Sequence, residues 1–181
     1  MTTRLGRPLT GLFALALSLT TVPVWAAPPK DDGKKSRLPA AVVKAIDLNR
    51  PGAEIGKLEI EDEEGITLYD VEFKGGQGEI EVAEDGTVLD LVTIIDLEDV
   101  PEPAAAMIKK AAGGGAIRQV EKSEVRARVE KTGGKGRLSV LAASEYVYEA
   151  ELAKGGEIEI AADGTVLKAP KSMGKGAPEK K

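Results

Sequence analysis

An internal repeat constrains the fold of this chain more than any other feature of its sequence. The segment Glu79–Leu89 recurs as Glu157–Leu167, with nine of eleven positions identical. Upstream, Tyr69–Phe73 matches Tyr148–Leu152, so the matches follow the same order in both halves. Ordered self-similarity of this kind is typical of a duplicated structural unit. The sequence therefore predicts two copies of one unit.

Each copy begins with a helical pattern and continues with the pattern of strands. Leu38–Leu48 carries apolar residues at helical spacing, and Pro101–Ala111 opens the second copy in the same way. The residues that follow alternate between apolar and polar, which is the period of β-strands. In the first unit this alternation predicts that Leu58 and Ile60 point inward and that Tyr69, Val71 and Phe73 share one face. We therefore predict an α+β fold of two tandem units, residues 38–99 and 100–168, each a helix followed by an about four-stranded antiparallel sheet.

The last two strands of each unit are separated by an Asp-Gly pair, which favours a tight hairpin turn. The second unit differs from the first by an insertion over residues 130–145, which contains three glycines. We expect this insertion to form a longer and looser hairpin tip than the corresponding loop of the first unit. Leu138 and Val140 keep the parity of Tyr146 and Tyr148, so an early start of the strand, with a bulge near Ala142-Ala143, is also expected. The predicted turn residues are Asp85, Gly86, Asp163 and Gly164.

The first 26 residues have the three-part pattern of a secretory signal. Arg4 and Arg7 precede the apolar stretch Leu9–Leu19, and Val24–Ala26 places small or β-branched residues before a cleavage point. A membrane anchor is the less favoured alternative, because the apolar stretch has about half of the ~20 residues that a span requires. We predict cleavage after Ala26, no transmembrane span in the mature chain, and a periplasmic or extracellular location.

The two ends of the mature chain are polar and rich in proline, glycine and lysine. Residues 27–37 are predicted to be a flexible linker, and residues 169–181 a disordered basic tail. The tail lacks the interleaved aromatic residues that stack on nucleic-acid bases. The domain that precedes it is acidic, so we expect a solvated tail and no nucleic-acid partner.

The residue types present exclude most catalytic chemistry. The chain has neither Cys nor His, so no Ser-His-Asp or Cys-His arrangement can form, and the usual nitrogen and sulfur ligands of zinc are missing. The glycine-rich stretches at 113–115 and 133–136 do not match the G-x-x-x-x-G-K-[ST] phosphate loop. We therefore predict a protein that is not an enzyme and carries no cofactor.

Carboxylates remain, and they are concentrated in the first unit. Residues 51–100 contain sixteen acidic and two basic side chains, whereas residues 101–181 carry a net charge of +4. Many of these carboxylates alternate with apolar residues, which predicts a solvated sheet face opposite the core. Such a face is either a means of solubility or a surface for a cation or a basic protein. The candidate binding residues are Glu59, Glu61, Asp62, Glu63, Glu64, Asp70, Glu72, Glu79 and Glu81.

Two finer expectations concern how this charge is neutralised. The run Glu61, Asp62, Glu63, Glu64 is a weak Ca²⁺ candidate, because hard cations prefer carboxylate oxygens; it lacks the spacing of an EF-hand. In the second unit, the alternation predicts that Arg126 and Arg128 oppose Glu149 and Glu151.

The repeat motif resembles the PepSY-like family. The similarity is carried by Tyr69-Asp-Val-Glu-Phe73, a glycine-containing turn, and Glu79-Ile-Glu-Val-Ala-Glu-Asp-Gly-Thr-Val-Leu89, and it covers about residues 38–168. The resemblance implies small exported domains in tandem pairs, with the architecture of the β-lactamase-inhibitor protein. It also implies binding, with peptidase inhibition in some members, and it supplies no catalytic residues.

Together these features predict an exported, non-enzymatic binding module with a protein partner. The more specific form of this prediction is an inhibitor or regulator of an envelope or secreted peptidase. The alternative is an acidic, Ca²⁺-binding structural protein of the cell envelope.

Overall fold

The computed structural model describes residues 33–154 and 156–170. The predicted signal (1–26), residues 27–32 of the predicted linker and residues 171–181 of the predicted tail lie outside the described residues. Within them, each of two short α-helices precedes four strands. The helices are α1 (Ala40–Asn49) and α2 (Glu102–Ala112). The strands are β1 (Ile55–Glu63), β2 (Ile66–Phe73), β3 (Glu79–Ala83), β4 (Val88–Ile94), β5 (Ile117–Thr132), β6 (Lys135–Leu152), β7 (Gly156–Ala161) and β8 (Val166–Lys168).

All eight strands belong to one antiparallel sheet in the order β1 to β8. The predicted fold class, two α+β units with a sheet each, is therefore wrong: the molecule is mostly β, with two short helices on one continuous sheet. The halves join where β4 pairs with β5, and Val92 lies opposite Ser123. This pairing satisfies backbone groups that two separate sheets would leave unpaired at their edges.

Both helices pack on the same face of the sheet. On β4, Leu91 belongs to the core beneath α1. Thr93, two residues further along the strand, points to the same face of the sheet. Thr93 lies opposite Lys122, which in turn lies opposite Tyr148 in the core beneath α2. Residues directly opposite each other share a face, so the opposite face carries no helix. The first core contains Val42, Ile46, Tyr69, Val71, Phe73, Ile80 and Val82, and the second contains Ala104, Ile108, Tyr148, Ala150, Ile158 and Ile160.

The insertion of the second unit forms regular strand. The tip is longer than that of the first unit, as expected, and β6 begins early, at Lys135; the expectation that the tip is loose is wrong, because β5 extends to Thr132. Gly133 and Gly134, with φ of 61° and 79°, form the two-residue turn between these strands. Val125 lies opposite Glu145 and Ala127 lies opposite Val140, so residues 141–144 form a bulge in β6.

The outer half of the β5–β6 hairpin crosses the sheet face opposite the helices. A third apolar cluster lies beneath it, at the end of the sheet formed by the β1–β2 and β3–β4 turns. Leu68 belongs to this cluster, on the other side of β2 from Tyr69. The cluster buries Leu68, Ala83, Leu89 and Ala127, with Ile66, Val129 and Leu138 packed around them.

The two Asp-Gly turns contact the helices in equivalent ways. Asp85 Oδ1 accepts a hydrogen bond from the N–H of Thr87, and a Cβ on Gly86 (φ 90°) would lie 3.0 Å from the carbonyl oxygen of Ala41. Asp163 binds the N–H of Thr165 in the same way, and Gly164 lies against Pro103. In both turns only the glycine, and not the aspartate, has a positive φ. Each turn therefore packs against the start of its helix.

Candidate functional site

Four carboxylates form a row across β1–β4 on the helix-free face, which we call the first ladder. Glu59 lies opposite Asp70, Asp70 opposite Glu81, and Glu81 opposite Asp90. Ile80, which precedes Glu81 on β3, is fully buried in the core beneath α1. Because successive side chains of a strand point to opposite faces, the row of carboxylates lies on the face without helices. Opposed residues in a sheet have Cβ atoms about 4.5–5.5 Å apart, so like charges are adjacent along the whole ladder.

A second row, parallel to the first, adds further negative charge. Lys57 lies opposite Glu72, and Glu72 lies opposite Glu79. At the outer edge of the sheet, Lys57 Nζ forms a 2.8 Å ion pair with Glu59. The two rows enclose a shallow depression, the first groove, lined by Lys57, Glu59, Asp70, Glu72 and Glu79.

The crowding of charge changes the protonation of the first ladder. Burial, and then the neighbouring carboxylates Asp70 and Asp90, raise the pKa of Glu81 from 4.5 to about 7. Burial together with nearby carboxylates also raises the pKa of Asp70 and of Glu79. The cause is the same in each case, because partial desolvation and like charges both disfavour the ionised form. The carboxyl of Glu81 therefore releases its proton at a higher pH than an ordinary glutamate does.

The inner end of the first ladder is stabilised by a hydroxyl group. Ser123 Oγ, on β5, lies 2.6 Å from both carboxylate oxygens of Asp90 and donates its proton to this carboxylate. A hydrogen bond to a charged acceptor is stronger than one between neutral groups. Ser123 thus links the first ladder to the second half of the sheet.

The second half carries an equivalent row, the second ladder, on the same face. Glu121 lies opposite Glu149, Glu149 opposite Glu159, and Glu159 opposite Lys168. Lys168 Nζ, at the outer edge, forms ion pairs with Glu159 at 2.9 Å and Glu157 at 3.3 Å. Burial, and then the carboxylates of Glu157 and Glu159, raise the pKa of Glu149.

The second ladder borders a second groove that corresponds to the first. Within it, Glu151 lies opposite Glu157 and pairs with Arg118 at 2.7 Å. The repeat aligns each lining residue with one of the first groove, Lys57 with Gln119 and the four carboxylates with four carboxylates. The second groove is lined by Gln119, Glu121, Glu149, Glu151 and Glu157. The duplicated sequence has thus produced two acidic grooves side by side on one sheet face.

The structure separates the predicted binding residues into two places. Glu59, Asp70, Glu72, Glu79 and Glu81 lie in the first ladder and groove, whereas the others follow β1 toward its tip. At the tip, Asp62 Oδ1 accepts a hydrogen bond from the N–H of Gly65, and Glu64 pairs with Lys131 at 2.8 Å.

The Ca²⁺ candidate at Glu61–Glu64 receives no support from this arrangement. In the described part of the chain, no group of three or more acidic side chains is placed to hold a metal ion. Two of the four carboxylates are engaged by the partners at the tip instead. Calcium binding stays a prediction.

The carboxylates of the second half were not predicted as members of the site. The predicted opposition of Arg126 and Arg128 to Glu149 and Glu151 is wrong, because Glu149 lies opposite Glu121 and Glu151 opposite Gln119. The arginines expected there bind elsewhere: Arg128 pairs with Glu145, and Arg126 with Glu124. The bulge expected near Ala142-Ala143 is confirmed, since Val125 lies opposite Glu145 and Ala127 opposite Val140. Aligning the second repeat on the first would have found the second groove.

A polar cluster connects α1 to the junction of the two halves. Arg50 donates hydrogen bonds to the carbonyl oxygen of Val92 at 2.9 Å and to Thr93 Oγ1 at 2.7 Å. Arg126 on β5 donates to Asn49 Oδ1 at 2.7 Å. Burial, and then the charge of Arg126, lower the pKa of Arg50. The cluster fixes the end of α1 over the strand pair that joins the halves.

No helix in the described residues is long and apolar enough to cross a membrane. The arrangement of the helix-free face can attract cations and exchange protons near neutral pH. It presents its charge on an open surface rather than in an enclosed cavity.

No family model matches the sequence, and no curated protein is significantly similar to it. Several solved structures are similar to the chain, among them the following three. A protein described as periplasmic from Bacteroides eggerthii has 14% identity and a TM-score of 0.48, and covers 72% of this chain and 86% of its own. A DUF2874 family protein from Bacteroides uniformis has 15% identity, a TM-score of 0.45 and the same coverage. A BLIP-like protein from Bacteroides fragilis has 16% identity and a TM-score of 0.42, with 78% and 91% covered. At these scores the likenesses carry no conclusion about function, and the PepSY-like resemblance stays a prediction.

Proposed function

We propose that this chain is an exported binding module that recognises a basic surface of a partner protein through the acidic, helix-free face of its sheet. The observation that carries the proposal is the first ladder, in which Glu59, Asp70, Glu81 and Asp90 oppose one another across four strands. Like charges directly opposite each other cost about 0.2–1 kcal/mol per pair. A cationic partner would remove this cost on binding.

The electrostatics of the face support recognition of positive charge. Within the first groove, the described ion pair is that of Lys57 with Glu59, at the edge strand. Burial, and then the neighbouring carboxylates Asp70 and Asp90, raise the pKa of Glu81 to about 7, so a cation placed here would favour its ionised form. Complementary charge accelerates encounter and orients a partner more than it adds affinity. We therefore expect association that weakens strongly as salt is added.

The specific form suggested by the PepSY-like resemblance is inhibition or regulation of an exported peptidase. Such a peptidase would present lysine or arginine side chains near its active site. The proposed export rests on the N-terminal signal pattern, whose cleavage can be checked by N-terminal sequencing of the secreted chain.

The experiment compares two double variants of equal charge. Asp70→Asn with Asp90→Asn removes two charges from the first ladder, and Glu98→Gln with Asp99→Asn removes two exposed charges outside both ladders. Each chain is immobilised and exposed to the exported fraction of its host. For any captured protein, the dissociation constant is then measured with both variants.

We expect the ladder variant to bind the captured protein at least tenfold more weakly and the matched control to bind as the unmodified chain does. The ladder variant loses like-charge repulsion but also the charged acceptor of the Ser123 hydrogen bond, so the stability of both variants is measured by urea denaturation and affinities are compared only where each variant is folded. Equal affinity of the two variants would overturn the proposal. A captured peptidase assayed with and without the chain would test the inhibitory form.

A further inference from the structure

Strand β1 lies at one edge of the sheet and leaves one of its two sides open. It spans Ile55–Glu63, and β2 is its only neighbour among the described strands. The opposite edge is formed by β8, which spans only Val166–Lys168. An open edge presents backbone N–H and C=O groups that a further strand can bind. β1 is therefore the longer of the two edges at which the sheet can be extended.

The turn between β1 and β2 determines which backbone groups of β1 face the open side. Glu64 and Gly65, with φ of 54° and 87°, form a two-residue turn, and Glu63 lies opposite Ile66. The residues that flank such a turn exchange hydrogen bonds, and bonded and non-bonded pairs then alternate along an antiparallel ladder. The residues whose N–H and C=O groups point away from β2 are therefore Leu58, Ile60 and Asp62.

The side chains of β1 form an apolar set on one face of the sheet and a charged set on the other. Leu58 and Ile60 lie on the face that carries the helices, where Leu58 packs on the core beneath α1 and Ile60 is 60% exposed. Lys57, Glu59 and Glu61 lie on the helix-free face. A strand placed beside β1 would therefore cover Ile60 on one face and meet carboxylates on the other.

We propose that β1 is the docking edge for an extended segment of the partner protein, which adds a ninth strand to the sheet. Basic residues of this segment would lie opposite Glu59 and Glu61. Apolar residues would lie opposite Leu58 and Ile60, and an acidic or neutral residue would lie opposite Lys57. The basic character of the segment rests on the proposed function, whereas its place of docking rests on the open edge.

The other edge of the sheet contains the same arrangement within the chain itself. On β8, Lys168 lies opposite Glu159, the outermost carboxylate of the second ladder, and Lys168 Nζ is 2.9 Å from that carboxylate. A lysine on the neighbouring strand thus ends this row of negative charge. The first ladder ends at Glu59, with no described strand beyond it. A basic residue of the added strand would take the position there that Lys168 takes in the second ladder.

Contacts at the two ends of β1 define the stretch that is open. At the start, Lys34 Nζ donates a hydrogen bond to the carbonyl oxygen of Gly56. At the end, the turn residue Glu64 pairs with Lys131 of the β5–β6 hairpin at 2.8 Å. The added strand is therefore expected to pair with residues 57–62.

A second copy of this chain is a less favourable occupant of the edge. Residues 55–63 contain four carboxylates and one lysine, a net charge of −3. Pairing β1 with the β1 of another copy would bring two strands of this charge together, and like charges on neighbouring strands are destabilising. Charge complementarity therefore favours a basic segment of a different protein.

The test measures hydrogen exchange of the β1 amides in the full chain with a probe peptide. The probe is a cyclic hairpin peptide, because closure keeps its strands extended before binding. One strand reads Thr-Lys-Val-Lys-Val-Glu, so its lysines lie opposite Glu61 and Glu59 when it pairs antiparallel to β1. The matched control peptide differs only in this strand, which reads Thr-Glu-Val-Glu-Val-Lys.

With the probe in excess, exchange of the Leu58 and Ile60 amides should slow by about tenfold. The control peptide should leave their exchange unchanged. The amides of Glu59 and Glu61 already face β2, so their exchange should change little. This pattern separates strand addition from a general electrostatic contact with the acidic face.

Two variants test the backbone contact directly. Ile60→Pro removes an outward N–H at the centre of the edge and leaves the bonds from β1 to β2 in place, so the probe should bind about tenfold more weakly. Ile60→Thr keeps the N–H and should bind within about threefold of the unmodified chain. Urea denaturation checks that both variants fold, and the exchange measurement in the unmodified chain does not depend on either.

Unchanged exchange at Leu58 and Ile60 with the probe, or equal affinity of the folded proline and threonine variants, would overturn the inference. Slow exchange that appears without the probe and increases with chain concentration would also overturn it, because a second copy would then occupy the edge. Failure of the probe leaves the proposed function standing, since a basic surface can contact the ladders without adding a strand. Conversely, equal binding of a captured protein by the two double variants leaves the probe result unchanged.

Discussion

The backbone N–H of Gly136 donates a 2.9 Å hydrogen bond to the carbonyl oxygen of Glu64. This bond connects the tip of the long β5–β6 hairpin to the turn between β1 and β2, which is the equivalent turn of the first unit. Glu64 has a φ of 54°, the one positive φ among the described non-glycine residues, and its carboxylate pairs with Lys131 of the same hairpin. The tip therefore closes the third apolar cluster over Leu68.

Gly136→Val should detach this tip. A Cβ at position 136 would lie 2.8 Å from the carbonyl oxygen of Glu64, so the hairpin must move away. We expect the free energy of unfolding to fall by about 1–3 kcal/mol, measured by urea denaturation. Amides of Val129 and Leu138 should also exchange faster with deuterium. Lys135→Val, at the exposed start of β6, is the control, and equal effects of the two variants would contradict the contact.

Glu81 should make stability depend on pH. Its pKa is about 7 in the folded chain against 4.5 ordinarily, so the folded state binds more protons between these values. The free energy of unfolding therefore falls as pH rises from about 4.5 to 7, and the destabilisation persists above pH 7. After allowance for solvent screening, we expect a loss of about 1 kcal/mol.

Glu81→Gln should remove this part of the pH dependence and stabilise the chain at pH 8 more than at pH 5. The measurement is urea denaturation at the two pH values. Glu98→Gln, outside both ladders, controls for the net charge. An unchanged difference between pH 5 and pH 8 in Glu81→Gln would show that the carboxyl titrates normally.

Gly86→Ala should test the contact between the β3–β4 turn and α1. The new Cβ would meet the carbonyl oxygen of Ala41 at 3.0 Å, and its φ of 90° is unfavourable for alanine. The matched control is Gly75→Ala, with a φ of 73° and open space around its Cβ. We expect losses of about 1 kcal/mol for Gly75→Ala and about 2–3 kcal/mol for Gly86→Ala. Similar thermal melting temperatures would rule out a packing contribution.

Arg50→Met should weaken the attachment of α1 to the junction of the halves. The variant loses the hydrogen bonds to Val92 and Thr93, which we expect to cost about 1–3 kcal/mol of unfolding free energy. Lys44→Met removes the same charge from an exposed position of α1 and should cost little. A double-mutant cycle with Thr93→Val should give a coupling of about 0.5–1.5 kcal/mol. Zero coupling would show that the hydroxyl contact contributes nothing.

Local patterns predicted some elements of the fold correctly. The alternation of Tyr69, Val71 and Phe73 placed these residues together in the core beneath α1. Ile60 was expected in the core by the same reasoning, yet it is 60% exposed. Ile60 lies on the edge strand β1, where a core-facing side chain has a neighbouring strand on one side only. Alternation specifies a face, but it does not specify how much of that face is covered.

The sequence by itself determined the duplication, the alternation of the carboxylates and the two Asp-Gly turns, because each depends on residues close together in the chain. Tertiary structure decided the rest. The pairing of Val92 with Ser123 merged two expected sheets into one, and the bulge at 141–144 changed which residues of β6 oppose β5. The two grooves came to share one face for the same reason. Such choices depend on pairing between segments that are distant in the chain, and a local alternation specifies the face of a side chain without specifying which strand lies opposite it.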